Sequence, residues 1–156
     1  MFAQNDGMKI EEEIKQPNFK DEFEKADINI MYTANWMNSK FYCVIKPFDI
    51  STQQFNILRI LRGQNGKPVS LKLLTERMMD KMSNTSRLVE KMLSKDLLKR
   101  KVCPENRRQI EINLTEEGLN VCNELSKEIE IFRNNDLKIT EKEAVELNRI
   151  LDKIRS

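Results

Sequence analysis

The chain has 156 residues, with 27 Lys and Arg against 25 Asp and Glu, and 39% hydrophobic residues, enough for one core beneath a solvated surface. It contains no histidine and only four glycines, which removes His-dependent base catalysis, Ser-His and Cys-His nucleophile pairs and glycine-rich phosphate loops. Its cysteines, Cys43, Cys103 and Cys122, are odd in number and widely spaced, arguing against a disulfide framework and a zinc ribbon; no metal, no cofactor and no enzymatic activity are expected.

The near-neutral total hides a segregation of charge. Residues 67–115 hold 12 Lys and Arg against 6 Asp and Glu, whereas residues 1–40 hold 5 against 8 and residues 116–156 hold 7 against 10. A basic middle between acidic ends is the electrostatic footprint of a nucleic-acid-binding module. No stretch approaches the roughly 20 apolar residues of a membrane span, and the start "MFAQNDGMKIEEEIKQP" lacks the basic and apolar regions of a secretion signal. A cytoplasmic location is expected.

In chain order, residues 1–17 are polar, end at Pro17 and read as a mobile arm. From Phe19, the positions Phe23, Ile30, Ala34, Met37, Phe41 and Ile45 recur at helical spacing until Pro47 stops the pattern. Ser51 and Gln54 form a capping box opening a helix that buries Phe55, Leu58, Ile60 and Leu61 and ends near Gly63–Gly66. "KPVS" is a short extended piece. Ser70 caps a helix with Leu71, Leu74 and Met78 inward. After a break at Asp80–Met82, Ser83 is expected to cap a further helix with a stripe of Leu88, Val89, Met92 and Leu93, and Thr85 packed with it. "LLKRKV" and "QIEINLT" form a hairpin in which Ile110, Ile112 and Leu114 alternate with polar residues. Thr115 and the box Thr140–Glu143 open two closing helices.

The fold class that follows is mainly α with a small β-hairpin wing (α+β): a winged helix-turn-helix with N- and C-terminal dimerisation helices. Its parts are the arm at 1–17, a dimerisation helix at 18–47, the DNA-binding domain at 48–115 and dimerisation helices at 116–156. The second helix of such a pair enters the major groove and reads base edges from its N-terminal residues. Ser83, Asn84, Ser86 and Arg87 are therefore the candidate readers. Arg107 and Arg108 at the hairpin tip suit the narrow, electronegative minor groove, while Lys91, Lys99, Arg100 and Lys101 supply phosphate contacts. Phe19, Phe23 and Ile30, with Phe132, Leu147, Leu151 and Ile154, exceed what one small wing domain covers, so a homodimer interface is expected there.

Three ordered segments, "FDISTQQFNILRIL", "SNTSRLVEKMLSKDLLKR" and "CPENRRQIEINLTEEG", resemble the MarR (multiple antibiotic resistance regulator) family over about residues 19–156. The last two look like that family's recognition helix and wing, and "LTEEG" at Leu114–Gly118 matches its L-T-x-x-G. The resemblance implies a homodimer with interlocked terminal helices, double-stranded DNA with a pseudo-palindromic operator as partner, and repression relieved by a small anionic or aromatic effector or by an oxidant. Two positions depart from the family pattern. Asn106 replaces the usual wing Asp, losing a charge-assisted bond to arginine. Asp96 replaces a usual glycine and must accept left-handed backbone. Of the cysteines, Cys122 on an apolar face is expected to be inert packing. The competing reading, a winged-helix protein-interaction module without DNA binding, has no need of the basic segment.

Overall fold

Side chains that satisfy the first amides of a helix set most element boundaries here. The computed structural model describes residues 8–102 and 110–156. They fall into two units, one ending at Cys43 and one spanning Val44–Ser156. The elements are α1 (Ile10–Glu13), α2 (Glu22–Ile45), a 3-10 turn at Lys46–Phe48, α3 (Thr52–Arg62), β1 (Val69–Ser70), α4 (Leu71–Arg77), α5 (Thr85–Ser94), β2 (Leu98–Val102), β3 (Ile110–Leu114), α6 (Glu116–Asp136) and α7 (Glu141–Ile154). Pro47 falls in the 3-10 turn directly after α2, where its missing N–H is tolerated.

In the first unit, the expected arm contains structure. Ile10 of α1 is buried, Glu11 pairs with Lys25 Nζ at 2.5 Å, and Glu13 accepts a hydrogen bond from the Tyr32 hydroxyl at 2.6 Å. Lys25 and Tyr32 lie two turns apart on one face of α2. Two of the arm's carboxylates, Glu11 and Glu13, find partners on α2, while Glu13 stays exposed. Residues 1–7 of the arm lie outside the described residues.

The second unit is built around α3. Its capping box closes as expected, with the Gln54 amide donating to Ser51 Oγ at 3.2 Å and the Ser51 amide to Gln54 Oε1 at 2.9 Å. Phe55, Ile57, Leu58, Ile60 and Leu61 are buried, and α3 touches α4, α5, α6 and β3. Ser70 caps α4. The wing is a three-stranded antiparallel sheet of order β1-β3-β2 rather than a two-stranded hairpin. Val69 pairs with Ile112, which faces Arg100 across the other edge. The extended "KPVS" piece thus covers an edge of β3 that would otherwise present unpaired backbone groups.

The joint between α5, the sheet and α6 explains two signature positions. Asp96 is left-handed, with φ of 55°. Its amide bonds Leu93 O at 3.1 Å and the Leu97 amide bonds Met92 O at 3.0 Å, the paired bonds of a Schellman ending. Thr115 then caps α6 through the Gly118 amide at 2.9 Å, while its own amide donates to Leu97 O at 3.2 Å. A Cβ at Gly118 would stand 2.0 Å from that same Leu97 oxygen. Leu-Thr-x-x-Gly is therefore a cap plus a backbone contact that only glycine permits. Gly118→Ala is expected to destabilise the fold by at least about 2 kcal/mol, whereas Asp96→Gly should stabilise it by up to about 1 kcal/mol through removal of left-handed strain. Chemical denaturation of the two variants reads both signs; a neutral Gly118→Ala would contradict the close approach.

Candidate nucleic-acid interface

The turn between α4 and α5 is held by α3. Asn56 Oδ1 accepts from the Met79 amide at 3.0 Å, and Asp80 takes the Met82 amide at 3.0 Å on one oxygen and the Ser83 hydroxyl at 2.9 Å on the other. Hydrogen bonds from Ser83 first, then Met82 and Gln53, hold the Asp80 carboxyl below the usual aspartate range. Sequence patterning missed Gln53, Asn56 and Asp80, because a bond from one helix to a distant turn leaves no local spacing. The cap also differs from expectation. Asn84, not Ser83, caps α5, its Oδ1 accepting the Arg87 amide at 3.1 Å. Ser83 is drawn away by Asp80, so the amide of Asn84 is already partly used in holding the helix start.

Along α5, Thr85, Val89 and Met92 face the core, and the Thr85 hydroxyl is buried without a hydrogen-bond partner, as suits a packed residue. The other side presents Ser86, Arg87, Glu90 and Lys91, all exposed. An open groove of about 320 Å³ runs there, lined by Gln53, Asp80, Ser83, Asn84, Arg87 and Lys91 among others. Ser83, Asn84, Arg87 and Lys91, four of the sequence candidates, thus come together on one surface, and Ser86 adjoins them. Arg87 is in no ion pair among the described residues.

Arg100 is placed differently from the lysines beside it. Its Nη1 lies 2.9 Å from Glu90 Oε1, tying β2 to α5, while Lys99 and Lys101 line a hollow with Pro68, Glu111 and Asn113 on the other face of the sheet. An exposed pair of this kind is worth at most about 1 kcal/mol, so an arriving phosphate can compete with Glu90 for Arg100. Cys103, Asn106, Arg107 and Arg108, the expected wing tip, lie outside the described residues. Among the described residues no group of three or more His, Cys, Asp and Glu could hold a metal, and no helix is long and apolar enough to cross a membrane.

The expected interface residues divide. Phe23, Ile30, Leu147 and Ile154 are exposed, and Phe19 and Leu151 are half-buried. Phe132 is only 7% exposed within the single chain, on the same α6 stripe as the buried Cys122 and Leu125. No residue of α7 is buried. Met31 and Val145, which the spacing did not select, are also exposed. Cys122 is fully buried; loss of hydration raises its thiol above the ordinary value, against a smaller opposing effect of Arg62, so it stays protonated and poorly nucleophilic. That arginine links α3 to α6, donating to Ser126 Oγ at 2.8 Å and Asn123 Oδ1 at 3.2 Å.

Residues 50–110, which include α3, the turn, α5 and β2, match the model of the MarR family. Those residues carry the MarR pattern. The HTH-type transcriptional regulator MgrA of Staphylococcus aureus is 29% identical over 127 residues, which cover 80% of this chain and 84% of that protein. Among solved structures, the organohalide-sensing RdhR regulator in its 2,4-dichlorophenol-bound form has a TM-score of 0.76 at 19% identity, covering 99% of this chain and 88% of its own. A mutant MarR from E. coli complexed with operator DNA has a TM-score of 0.68 at 19% identity, covering 81% and 91%. These likenesses establish the winged-helix fold of the chain, helices flanking a small antiparallel sheet.

Asp80 supplies a pH test of the turn. Because its folded pKa lies below the 3.8 of a free aspartate, its contribution is full above that value and drains away as pH falls through the folded pKa. Asp80→Asn keeps one acceptor oxygen and sets an NH2 group in place of the other, removing the charge that both the Met82 amide and the Ser83 hydroxyl donate to. The variant should unfold at lower urea than the parent near neutral pH, and the gap should close in acid below pH 3.8. A gap that does not change with pH would exclude the carboxylate as the group that matters.

Proposed function

We propose that this chain is a sequence-specific DNA-binding transcription regulator, acting in the cytoplasm as a homodimer on a pseudo-palindromic operator and repressing until a small ligand releases it. The observation that carries the reading is the outer face of α5. A ten-residue helix starts from a turn pinned by Asn56 and Asp80 and holds exposed Ser86, Arg87 and Lys91 over an open groove. That is a rigid, basic, hydrogen-bonding edge of the width a major groove admits. The exposed stripes on α2 and α7 support a second copy, since apolar area of that kind is normally covered. For the ligand, the support is a hollow of about 240 Å³ in the first unit bounded by Ile10, Tyr32 and Trp36 with Glu13 at its edge, and the relative of this fold that holds a chlorinated phenol.

The protein-interaction alternative predicts no steep salt dependence. A DNA reader loses affinity sharply as salt displaces its phosphate contacts, so titration of random duplex at two salt concentrations separates the two; absence of binding at low salt rejects the regulator. Within the DNA reading, Arg87→Ala should cost about 1–3 kcal/mol on operator and relax specificity, if it grips a base edge in two places. Lys91→Ala should weaken all sequences alike and lower the salt slope by about one. Equal effects of both variants on operator and random DNA, measured by fluorescence anisotropy, would remove Arg87 as the reader.

A further inference from the structure

Met79 and Met82 are 81% and 92% exposed, more than any other large hydrophobic residue described in the second unit. Their exposure is imposed, because the backbone amide of each is fixed, Met79 by Asn56 and Met82 by Asp80. Those bonds hold the backbone of the turn from which both side chains project. Folding therefore gains nothing from two long apolar side chains standing in water beside the start of α5, which leaves both available to an apolar group outside the chain. The neighbourhood narrows its nature. The next exposed residues along the chain are those of the groove bearing Arg87 and Lys91, so the occupant is anionic overall yet carries an apolar point. Among the base edges of a major groove, the C5-methyl of thymine is the apolar group, and the unbranched, adaptable methionine side chain suits it.

We propose that Met79 and Met82 read thymine methyl groups at the margin of the bound site, adding a specificity element that is apolar and lies outside α5. The proposal rests on the DNA-binding reading above and adds to it residues that no hydrogen-bond argument would select. Its test uses the full chain and the tightest duplex it selects from a random pool. Each thymine of that duplex is replaced in turn by deoxyuridine, which removes the methyl and leaves every hydrogen-bonding group. The parent should lose affinity at one or two positions by about fourfold each, the partition of a single methyl group. The double variant Met79→Ala, Met82→Ala should bind the unmodified duplex correspondingly less well and be indifferent to the methyl at those positions, with an unchanged thermal midpoint because neither side chain is packed. A parent that selects a duplex but ignores every methyl, or a variant as sensitive as the parent, overturns this proposal while leaving DNA binding intact. Failure to bind any duplex at low salt sinks both.

Discussion

The outward face of α5 is decided by what α5 buries. Thr85, Val89 and Met92 recur at four and three residues, the spacing of one helical stripe, and all three lie within the core. With those positions committed, Ser86, Arg87, Glu90 and Lys91 have no choice but to face solvent. Rotation of the helix by one residue would drive a charged group into the apolar interior, at a penalty far larger than any surface contact could return. The face is thereby held by packing, and its polar side chains are free to vary without cost to the core. The direction of the helix is set separately, by the α3 side chains that grip the preceding turn and by the Schellman ending at Asp96.

That division of labour explains which features could be read from the chain. Caps at Ser51, Ser70, Thr115 and Thr140 were legible because a cap and its amide lie three residues apart. The left-handed Asp96 was legible only through the resemblance, in which a glycine usually holds that position. Ser83 was misplaced as a cap for an equally physical reason. Ser and Asn both favour the position, and only the location of Asp80 decides which is free to take it. α1 was hidden because four residues cannot hold a helix by local propensity; Lys25 and Tyr32 supply what the segment lacks. Phe132 continues the α6 stripe of Cys122 and Leu125, which are also buried within the single chain.

Two carboxylates within this basic surface bear on what it recognises. Asp80 lines the groove beside Arg87, and Glu90 occupies the middle of the exposed face, holding Arg100. Both repel phosphate, so they lower the sequence-independent attraction that any basic helix exerts on a duplex. A surface built only for tight binding would omit them. One built for discrimination gains from them, because specificity is a difference between affinities and repulsion of the wrong partner enlarges it.

The same pair of acids also constrains geometry. Glu90 accepts from Arg100 on Oε1 alone, which leaves its second oxygen open to another donor. If a duplex draws Arg100 onto phosphate, Glu90 is released to face the groove; if Arg100 stays, β2 remains tied to α5. Because an exposed pair is worth no more than about 1 kcal/mol, the balance falls within reach of a single phosphate contact, and the strand leading to the wing is coupled to the helix by a bond weak enough to be exchanged. Were a duplex bound, the contribution of Arg100 to affinity would be the difference between two ion pairs rather than the full strength of either.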